Sequence, residues 1–390
     1  MPAYNQKFHM KIILANKFYY NRGGDCNYVI NLEQLLKSHG HEVAVFAMDY
    51  PQNFESKWKH YFPSNMTMPM ALTRPFGSIE VKQKFTKLLN DFNPDVVHLN
   101  NIHTQISPII AELAHKKGVK VIWTIHDYKL LCARYDCLKE GKQICEECFG
   151  NNKRPCIHNK CIKSSWLASY IGYKEASTWN RDRLNACTDI FICPSSFMAK
   201  KMEQGGFPKE KIVTLCNFMN VEKCKRDNYD KADYCCFIGR LSHEKGIVTL
   251  IKAINDLPFK LKIIGSGALE KHLKSISNGN VEFLGFKQWN EIKQIVGNAK
   301  FSIIPSEWYE NNPLSVIESK CLGTPVLGSN IGGIPELTSY TFECGNEFDL
   351  KMKIKEMWQL ELDYKTFALL AQEKYDSKKY YNNIINIYKN

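Results

Sequence analysis

Two glutamates on either side of a proline are the residues whose types and spacing most directly indicate chemistry. In the stretch PSEWYENNPLSVIESKCLGTPVLGS, Glu310 precedes Pro313 and Glu318 follows it. Proline is favoured in the first turn of a helix, where its missing N–H is not needed, so a helix is predicted to start at Pro313. The backbone N–H groups of Leu314 and Ser315 would then be free to bind a phosphate or a sugar oxygen.

The two carboxylates are placed to hold a polar ligand between them. Glu318 lies one turn into the predicted helix and can accept hydrogen bonds from two hydroxyl groups, as a ribose diol offers. Glu310, in the preceding loop, would face a sugar. This spacing predicts that the two side chains hold opposite ends of one nucleotide sugar.

A pair of basic residues points to the same class of ligand. In FIGRLSHEKGIVTLIKAI, Arg240 ends a strand-like run, and Lys245 precedes a helix predicted to begin near Gly246. A strand end followed by a helix N-terminus favours phosphate, because free N–H groups and the helix dipole attract negative charge. Gly265, in IIGSGALEKHL, marks another glycine turn after a strand. By itself the basic stretch is more typical of an exposed loop, and it gains weight from the Gly265 turn and from the two glutamates.

The elements that must position these residues form two alternating series of strands and helices. The first series of strands is KIILAN, HEVAVFAM, PDVVHLNN, KVIWTIHD and DIFICPSS, and the second is CCFIGR, FKLKIIG, VEFLG, KFSIIPS and TPVLGS. Helices are predicted in NYVINLEQLLKSHG and over 79–92, 105–117, 246–255, 267–276, 289–297 and 313–321. Such alternation implies parallel sheets with ligands at the carboxyl ends of the strands. The predicted fold class is α/β, with two Rossmann-like, doubly wound domains facing each other across a cleft.

The pattern also predicts domain boundaries. Residues 1–217 form the N-terminal, acceptor-side domain with a cysteine-rich insertion at 132–161; 218–233 are a linker; 234–374 are the C-terminal, nucleotide-sugar-binding domain; and 375–390 are a terminal amphipathic helix.

Length and composition exclude several classes of protein. A chain of 390 residues is too long for one ordinary core, and 44% hydrophobic residues exclude wholesale disorder. No apolar run approaches the roughly 20 residues of a membrane-spanning helix, and the opening residues lack the pattern of an export signal.

The net charge is unevenly distributed along the chain: residues 1–215 carry 29 Lys and Arg against 19 Asp and Glu, or +10 of the total +12. A basic half attracts phosphates of lipid, nucleic acid or a lipid-linked diphosphate, although a solvated lysine-rich surface has the same composition.

These motifs together resemble the retaining glycosyltransferases of family 4, which have the two-domain GT-B fold. The resemblance is carried by NRGGDCNYVINLEQLLKSHGHEVAVF, TIHDY, GRLSHEKG, VEFLG and the Glu-x7-Glu stretch ENNPLSVIE, and it covers nearly the whole chain. It implies that Arg240 and Lys245 bind the donor diphosphate and that Glu318 binds the ribose. It also places Glu310 beside the donor sugar and His126 in the cleft near the transferred sugar.

The resemblance carries further implications for the loops and the mechanism. Gly23 and Gly24 would let the first loop approach donor phosphate and acceptor, although Asp25-Cys26 departs from the small residue and acid usual there. The terminal helix would cross back onto the first domain. Because the chain contains no Asp-x-Asp pair, no cofactor is expected for catalysis. Retention is usually drawn as same-face attack, which makes Glu310 a sugar-binding group rather than a nucleophile.

Six of the 15 cysteines fall between residues 132 and 161. Cys145 and Cys148 have the spacing of a metal knuckle, and Cys132, Cys156, Cys161 and His158 offer further ligands. Some bacterial members of the resembled family carry cysteines matching Cys132, Cys145, Cys148 and Cys161. The favoured interpretation is a structural zinc ion on these four; the alternative is a loop of reduced thiols. Disulfides are disfavoured in a cytoplasmic protein.

The predicted function is sugar transfer, with retention, from a UDP- or GDP-linked donor to a growing cell-surface glycan or lipid-linked oligosaccharide. The enzyme is predicted to be a cytoplasmic hexosyltransferase of O-antigen or capsule synthesis, peripheral on the anionic inner face of a bacterial membrane. Two alternatives remain at this stage: a zinc-bearing nucleic-acid-binding protein and a sugar-nucleotide epimerase of the same fold. A nucleic-acid-binding function leaves the roles of Glu310, Glu318, Arg240 and Lys245 unexplained, so nucleic acid is not an expected partner.

Overall fold

The computed structural model describes residues 9–65 and 73–390 of the chain. Residues 1–8, in which the sequence predicts no export signal, lie outside the described residues.

The first half of the chain folds around a six-stranded parallel sheet. Its strands and the strands of a small hairpin are β1 (Lys11–Ala15), β2 (Glu42–Phe46), β3 (Val96–Leu99), β4 (Lys120–Thr124), β5 (Leu138–Lys139), β6 (Gln143–Ile144), β7 (Ile190–Cys193) and β8 (Ile212–Thr214). The sheet order is β2-β1-β3-β4-β7-β8, and β5 and β6 pair with each other antiparallel. Strands such as Lys11–Ala15 are nearly continuous apolar runs because helices cover both faces of the sheet.

The helices of the first half are α1 (Gly24–Ser38), α2 (Ile79–Phe92), α3 (Ile109–Lys116), α4 (Pro155–His158), α5 (Trp166–Thr178), α6 (Arg181–Ala186) and α7 (Ser196–Gln204). The prediction of a helix over 105–117 is wrong in its first turn. Ser107 has φ 76°, which lies outside the right-handed helical region, so the helix begins only after Pro108.

The second half repeats the plan with a second six-stranded parallel sheet, ordered β11-β10-β9-β12-β13-β14. Its strands are β9 (Tyr234–Ile238), β10 (Lys260–Ile264), β11 (Val281–Gly285), β12 (Ser302–Ile304), β13 (Val326–Ser329) and β14 (Thr341–Phe342). Its helices are α8 (Ile247–Asn255), α9 (Glu270–Ile276), α10 (Trp289–Asn298), α11 (Leu314–Cys321), α12 (Glu347–Trp358) and α13 (Tyr364–Tyr375). The predicted fold class, two parallel α/β domains in tandem, is confirmed.

The last helix, α14 (Ser377–Lys389), belongs to the second half by sequence but packs on the first sheet. The hydroxyl of Tyr380 lies 2.5 Å from that of Tyr28 in α1, and the hydroxyl of Tyr388 lies 2.6 Å from Nδ1 of His98 in β3. All four side chains are buried. The chain end therefore returns to the first domain and covers one face of its sheet.

Candidate active site

An ion pair between Lys245 and Glu310 lies at the carboxyl ends of the strands of the second sheet. Lys245 Nζ is 2.6 Å from Glu310 Oε1, which also accepts a hydrogen bond from the Ser306 hydroxyl at 2.7 Å. The ammonium group lies 4.9 Å from the centre of the Trp308 ring, within range of a cation–π interaction. The first predicted carboxylate and one predicted cation thus meet directly.

Glu310 is held as a carboxylate despite its burial. Burial raises the pKa of Glu310, but the charge of Lys245 and hydrogen bonds from Lys245 and Ser306 outweigh it, so the pKa lies below its ordinary value. A carboxylate with a lowered pKa is a weak base. The environment therefore suits hydrogen bonding to sugar hydroxyls better than proton abstraction.

Close backbone approach brings Lys245 to Glu310. Gly246 has φ +63°, and a Cβ there would lie 1.7 Å from the carbonyl oxygen of Pro305. Only glycine accepts this contact, because any side chain would overlap the Pro305 carbonyl. The start of α8 and the loop after β12 therefore lie against each other.

Arg240 lies in the loop after β9, with 61% of its side chain accessible. Its Nη2 is 2.7 Å from Glu244 Oε1, and its Nε donates to the Ser242 hydroxyl. Burial raises the pKa of Glu244, but hydrogen bonds from Ser242 and the charge of Arg240 bring it below its ordinary value. Glu244 was not singled out from the sequence, although its position four residues after Arg240 could have indicated this ion pair.

The helix that follows Glu310 begins one residue later than predicted. Pro313 is the N-cap, with ψ 120°, and Leu314 is the first helical residue. Proline here precedes the helix instead of occupying its first position, so the prediction that the helix starts at Pro313 is wrong by one residue. Leu314 and Ser315 still lie in the first turn.

Glu318 lies on the same helix in a different electrostatic environment. Burial raises its pKa to about 7, and no other cause acts on it. The carboxyl group can therefore gain or lose a proton near neutral pH. Glu310 and Glu318 are separated by seven residues, and of the two only Glu310 forms an ion pair among the described residues.

His126 follows β4 in the first domain. Its Nε2 lies 2.9 Å from Asn100 Oδ1, and its ring centre lies 4.8 Å from that of Tyr28. Burial lowers the pKa of His126 to about 4, against an opposing effect of the Asp25 carboxylate. The imidazole is therefore neutral at pH 7. Asn100, which follows β3, was missed, although a polar residue directly after a buried strand could have indicated it.

The glycine pair lies opposite the helix of the second domain. Gly23 is the N-cap of α1 in extended conformation, and a Cβ on Gly24 would lie 3.9 Å from Leu314 Cδ1. The N-termini of α1 and α11 thus face each other across the cleft. Asp25, in the first turn of α1, accepts a hydrogen bond from Asn101 at 2.9 Å.

Gly265 ends the strand beside the Arg240 strand and has φ +136°. A Cβ on Gly265 would lie 1.9 Å from the carbonyl oxygen of Gly239. Close packing next to the Arg240 loop therefore requires glycine at position 265. A role of this turn in donor binding would have the same requirement.

Two asparagines after Glu310 connect the domains. Asn311 Nδ2 donates to the Ile125 carbonyl at 2.7 Å, and its Oδ1 accepts from the Ser195 hydroxyl at 2.8 Å. Asn312 accepts the Asn217 N–H at 3.1 Å. These residues lie between the two predicted glutamates and were not singled out, because an asparagine pair before a proline also fits an ordinary turn.

Glu336 makes a further contact between the domains. Its carboxylate accepts the N–H groups of Ser196 and Phe197 at the start of α7, at 2.8 and 2.6 Å. Free N–H groups at a helix N-terminus favour a carboxylate, so this contact holds the first domain near the Glu310 loop.

The predicted zinc ligands lie together at one small cavity. Cys132, Cys145, Cys148 and Cys161 all line it, as does Cys156. Among residues 9–65 and 73–390, no group of three or more Cys, His, Asp or Glu side chains is arranged to hold a metal ion as it stands. The zinc site stays a prediction.

A larger cavity, of about 490 Å³, lies beside the ends of β13 and β14. It is lined by Asn330, Phe342, Glu343 and Cys344, among others, and by none of the predicted site residues. The Cys344 thiol donates to the carbonyl of Ser306 at 3.6 Å, so the cavity adjoins the loop that holds Glu310.

Two models of known protein families match this chain. Residues 22–223 match the model described as "Glycosyltransferase Family 4", and residues 220–356 match the model described as "Glycosyl transferases group 1". The first match covers more than half of the chain. The chain belongs to glycosyltransferase family 4.

Relatives of this glycosyltransferase occur in bacteria and archaea. An uncharacterized glycosyltransferase of Methanocaldococcus jannaschii is 34% identical over 351 residues, covering 85% of this chain and 83% of the relative. The O-antigen biosynthesis glycosyltransferase WbnH of Escherichia coli is 30% identical over 238 residues, covering 58% and 69%. An uncharacterized protein in the cps region of Klebsiella pneumoniae is 26% identical over 358 residues, covering 84% and 87%.

Solved structures share the fold of this glycosyltransferase. HepE of Anabaena, in complex with UDP-glucose, has a TM-score of 0.67 at 15% identity, covering 97% of this chain and 99% of HepE. The alternatives of a nucleic-acid-binding protein and of an epimerase find no support in these comparisons. Within the described part of the chain, none of the helices has the length and apolar character needed to cross a membrane.

Proposed function

We propose that this glycosyltransferase moves a hexose from a nucleotide sugar to a growing cell-surface glycan or its lipid-linked precursor, with retention of anomeric configuration. The observation that carries the proposal is the Lys245–Glu310 pair beside the N-terminus of α11, opposite the N-terminus of α1. A fixed cation and free helix N–H groups are what a departing diphosphate requires, and a sugar-binding carboxylate lies in contact with the cation.

Charge balance explains how the donor would bind. Lys245 and Arg240 each have a carboxylate partner, Glu310 and Glu244. A donor diphosphate would compete with these carboxylates for the two cations. Glu310, released from part of its ion pair, could then accept hydrogen bonds from hydroxyl groups of the sugar next to the diphosphate.

The neutral His126 would contact the transferred sugar. With Nε2–H donating to Asn100, Nδ1 would be the ring atom that accepts a hydrogen bond from a sugar hydroxyl. A histidine with a pKa of about 4 makes a poor general base at neutral pH. This supports a mechanism in which a phosphate oxygen of the donor takes the acceptor proton as the acceptor attacks from the same face.

The names of relatives support a cell-surface product. WbnH is named for O-antigen biosynthesis, and the Klebsiella relative is encoded in a cps region. HepE binds UDP-glucose, which supports a UDP-linked donor; GDP-linked donors are the second class to be tested. Catalysis on this proposal uses no metal ion.

An exposed aromatic surface supports membrane association of the acceptor side. Trp166 and Leu167 at the start of α5 are 55% and 62% exposed, and the Trp166 ring stacks on Tyr170 at 5.3 Å. Lys163 is exposed next to them, and Lys174 lies over the Tyr170 ring. Aromatic residues flanked by lysines suit the boundary of an anionic bilayer. We assign this surface to the anionic inner face of a bacterial membrane, which would place the enzyme in the cytoplasm.

A screen of donors and acceptors tests the proposal. Purified enzyme would be incubated with UDP- and GDP-hexoses and a lipid-linked acceptor, and products would be identified by mass spectrometry. We expect one donor to give a product heavier by one hexose, with the anomeric configuration of the donor by proton NMR. An inverted product would contradict retention, and a failure to bind any nucleoside diphosphate would contradict sugar transfer from a nucleotide.

A further inference from the structure

The cysteine-rich insertion, residues 132–161, brings cysteines from three separate stretches of sequence to one small cavity. The cavity that they line measures about 10 Å³, which is room for about one water-sized particle. Its lining includes five of the six cysteines of residues 132–161, which are Cys132, Cys145, Cys148, Cys156 and Cys161. None of the roles in the proposed sugar transfer uses these side chains.

Two of the six thiols are less suited to bind a metal ion at this cavity. The Cys156 thiol donates a hydrogen bond to the carbonyl oxygen of Ser169, with the sulfur 3.7 Å from that oxygen. Cys137 is fully buried, is not part of the cavity lining and interacts with the Cys132 thiol. The other four cysteines line the cavity, and four is the number of ligands in a tetrahedral structural zinc site.

A cysteine binds zinc as the thiolate, so the thiols must be free of disulfides. All 15 cysteines are free, so no disulfide competes for them.

We propose that Cys132, Cys145, Cys148 and Cys161 bind one structural zinc ion at this cavity. On binding, the four thiols would turn inward to sulfur–zinc distances of about 2.3 Å and release their protons to solvent. The ion would join the segment after β4 to the β5–β6 hairpin and to the segment before α5. Apolar side chains of these segments divide between a small cluster that contains Ala133, Cys148 and Cys156 and the main core of the domain, which contains Leu131 and Phe149.

The metal site would also position a residue that reaches the second domain. Glu146 lies between Cys145 and Cys148, and its Oε1 is 2.5 Å from Lys201 Nζ. Lys201 lies 5.1 Å from the centre of the Tyr309 ring, and Tyr309 precedes Glu310. Zinc binding would therefore hold Glu146 and Lys201 against the loop that carries Glu310. The effect of this contact on catalysis rests on the proposed function, whereas the metal site itself does not.

Metal content of the full-length chain tests the site without any assay of activity. Protein purified without a histidine tag would be analysed for metals, and a mercurial reagent would be used to release the metal to a chromophoric chelator. We expect about one zinc per chain by both methods. Cobalt-substituted protein should show thiolate-to-cobalt absorption and tetrahedral cobalt bands.

Cysteine variants decide which thiols are ligands. Cys148→Ser and Cys161→Ser should lose most of the zinc, whereas Cys156→Ser, a matched change at the same cavity, should retain it. If a ligand variant fails to fold, the release experiment on the unaltered protein still decides the question. Stoichiometric zinc in Cys148→Ser, or zinc-free unaltered protein after purification in zinc-supplemented buffer, would overturn the proposal.

Hydrogen exchange tests the contact with the second domain. Removing the metal should speed amide exchange in peptides covering residues 307–313, while peptides of β10 and β11 should exchange as before. Glu146→Gln should keep the zinc and show the same faster exchange at 307–313. Unchanged exchange at 307–313 in both samples would overturn the positioning role of Glu146.

Discussion

Lys245 and Glu310 depend on each other, because each stabilises a charge that burial would otherwise disfavour. The side chains are only 22% and 10% exposed, and their closest atoms are 2.6 Å apart. Removing one partner of such a pair leaves the other as an uncompensated charge. Substituting either residue therefore changes the charge available to the donor and leaves the other residue without its charged partner.

Replacing either predicted phosphate-binding cation should slow sugar transfer. Lys245→Ala and Arg240→Ala each remove a charge that would stabilise the departing diphosphate, at a cost of about 2–4 kcal/mol in transition-state stabilisation. We expect kcat/KM to fall by about 30- to 1000-fold. The measurement is release of nucleoside diphosphate under steady-state conditions.

The matched control for these variants is Lys252→Ala, since Lys252 lies exposed on α8 in the same domain. It should behave as the unaltered enzyme. Near-normal kcat/KM in both Lys245→Ala and Arg240→Ala would remove the two cations from the mechanism.

Glu318 should make binding of nucleoside diphosphate dependent on pH. Its pKa is about 7, and only the deprotonated carboxylate accepts hydrogen bonds from both ribose hydroxyls. Affinity for UDP or GDP should therefore weaken as pH falls from 8 to 6. In Glu318→Gln, affinity should be about 10-fold weaker at pH 8 and nearly independent of pH, as hydrogen bonds to a charged group contribute about 1.5–3 kcal/mol. Calorimetric titration at several pH values measures this, and equal affinity of both proteins at pH 8 would exclude the ribose role.

The same substitution should stabilise the fold at alkaline pH. The folded-state pKa of Glu318 lies above the ordinary value of 4.5, so unfolding releases a proton between pH 4.5 and 7. Stability contributed by the protonated form is present below pH 4.5 and is lost as pH rises through about 7. Glu318→Gln should raise the free energy of unfolding at pH 8 by up to about 3 kcal/mol and have little effect at pH 4.5. Denaturant unfolding measures this free energy, and Glu55→Gln, at an exposed residue, is the control. A Glu318→Gln variant less stable than the unaltered protein at pH 8 would contradict the raised pKa of Glu318.

At the scale of single elements, α5 begins with two exposed apolar side chains beside lysines. Trp166 and Leu167 lie at its exposed start, while Ser169, Gly172 and Glu175 form its buried side. On the proposed function these two side chains would enter the boundary of a membrane, and the neighbouring lysines favour an anionic one.

Substitutions on α5 should weaken binding to anionic vesicles. Trp166→Ser with Leu167→Ser removes apolar area that would enter the bilayer boundary, and we expect at least about 10-fold weaker partitioning. Co-sedimentation with vesicles containing phosphatidylglycerol measures this. Phe286→Ser, a change at a 73% exposed residue of the second domain, is the matched control. High salt should release the unaltered enzyme; identical partitioning of the two variants would remove α5 from the membrane surface.

At the scale of the whole molecule, the domains meet through polar contacts around the Glu310 loop. Asn311 bonds to Ile125 and Ser195, and Glu336 bonds to the start of α7. The Tyr309 ring also contacts the rings of Phe197 and Tyr128 in the first domain. Interfaces between domains generally allow relative motion unless they are large and hydrophobic. Helix α14 adds a second connection on the far side of the first sheet.

Weakening the contact at Asn311 should shift the enzyme toward an open arrangement of its domains. Asn311→Ala leaves the Ile125 carbonyl and the Ser195 hydroxyl without this partner, at a cost of about 1–3 kcal/mol. We expect a larger radius of gyration by small-angle X-ray scattering and a lower kcat/KM. Asn90→Ala, on the exposed side of α2, is the control. An unchanged radius together with unchanged kinetics would exclude a role for Asn311 in closure.

The sequence by itself determined the fold class and predicted the residues of a candidate ligand site. Apolar runs that alternate with amphipathic helices allow few solutions other than two parallel sheets, because both sheet faces must be buried. Lys245 and Arg240 were predicted to bind phosphate because they lie between a strand end and a helix start, where free N–H groups favour anions. Glu310 was singled out by its position before Pro313. Helix starts were less predictable, since Ser107 and Pro313 adopt backbone angles that depend on their neighbours.

Only the tertiary structure decided which partners these residues have. Lys245 and Glu310 are 65 residues apart, and their pairing depends on the close approach of Gly246 to Pro305. The interdomain role of Asn311 and the neutral state of His126 depend on contacts between distant strands and on burial. The pKa of Glu318, about 7, likewise follows from burial of the carboxyl group and not from its spacing in the sequence. Local pattern determines which backbone elements form, whereas desolvation and long-range contacts determine the charge that each side chain carries.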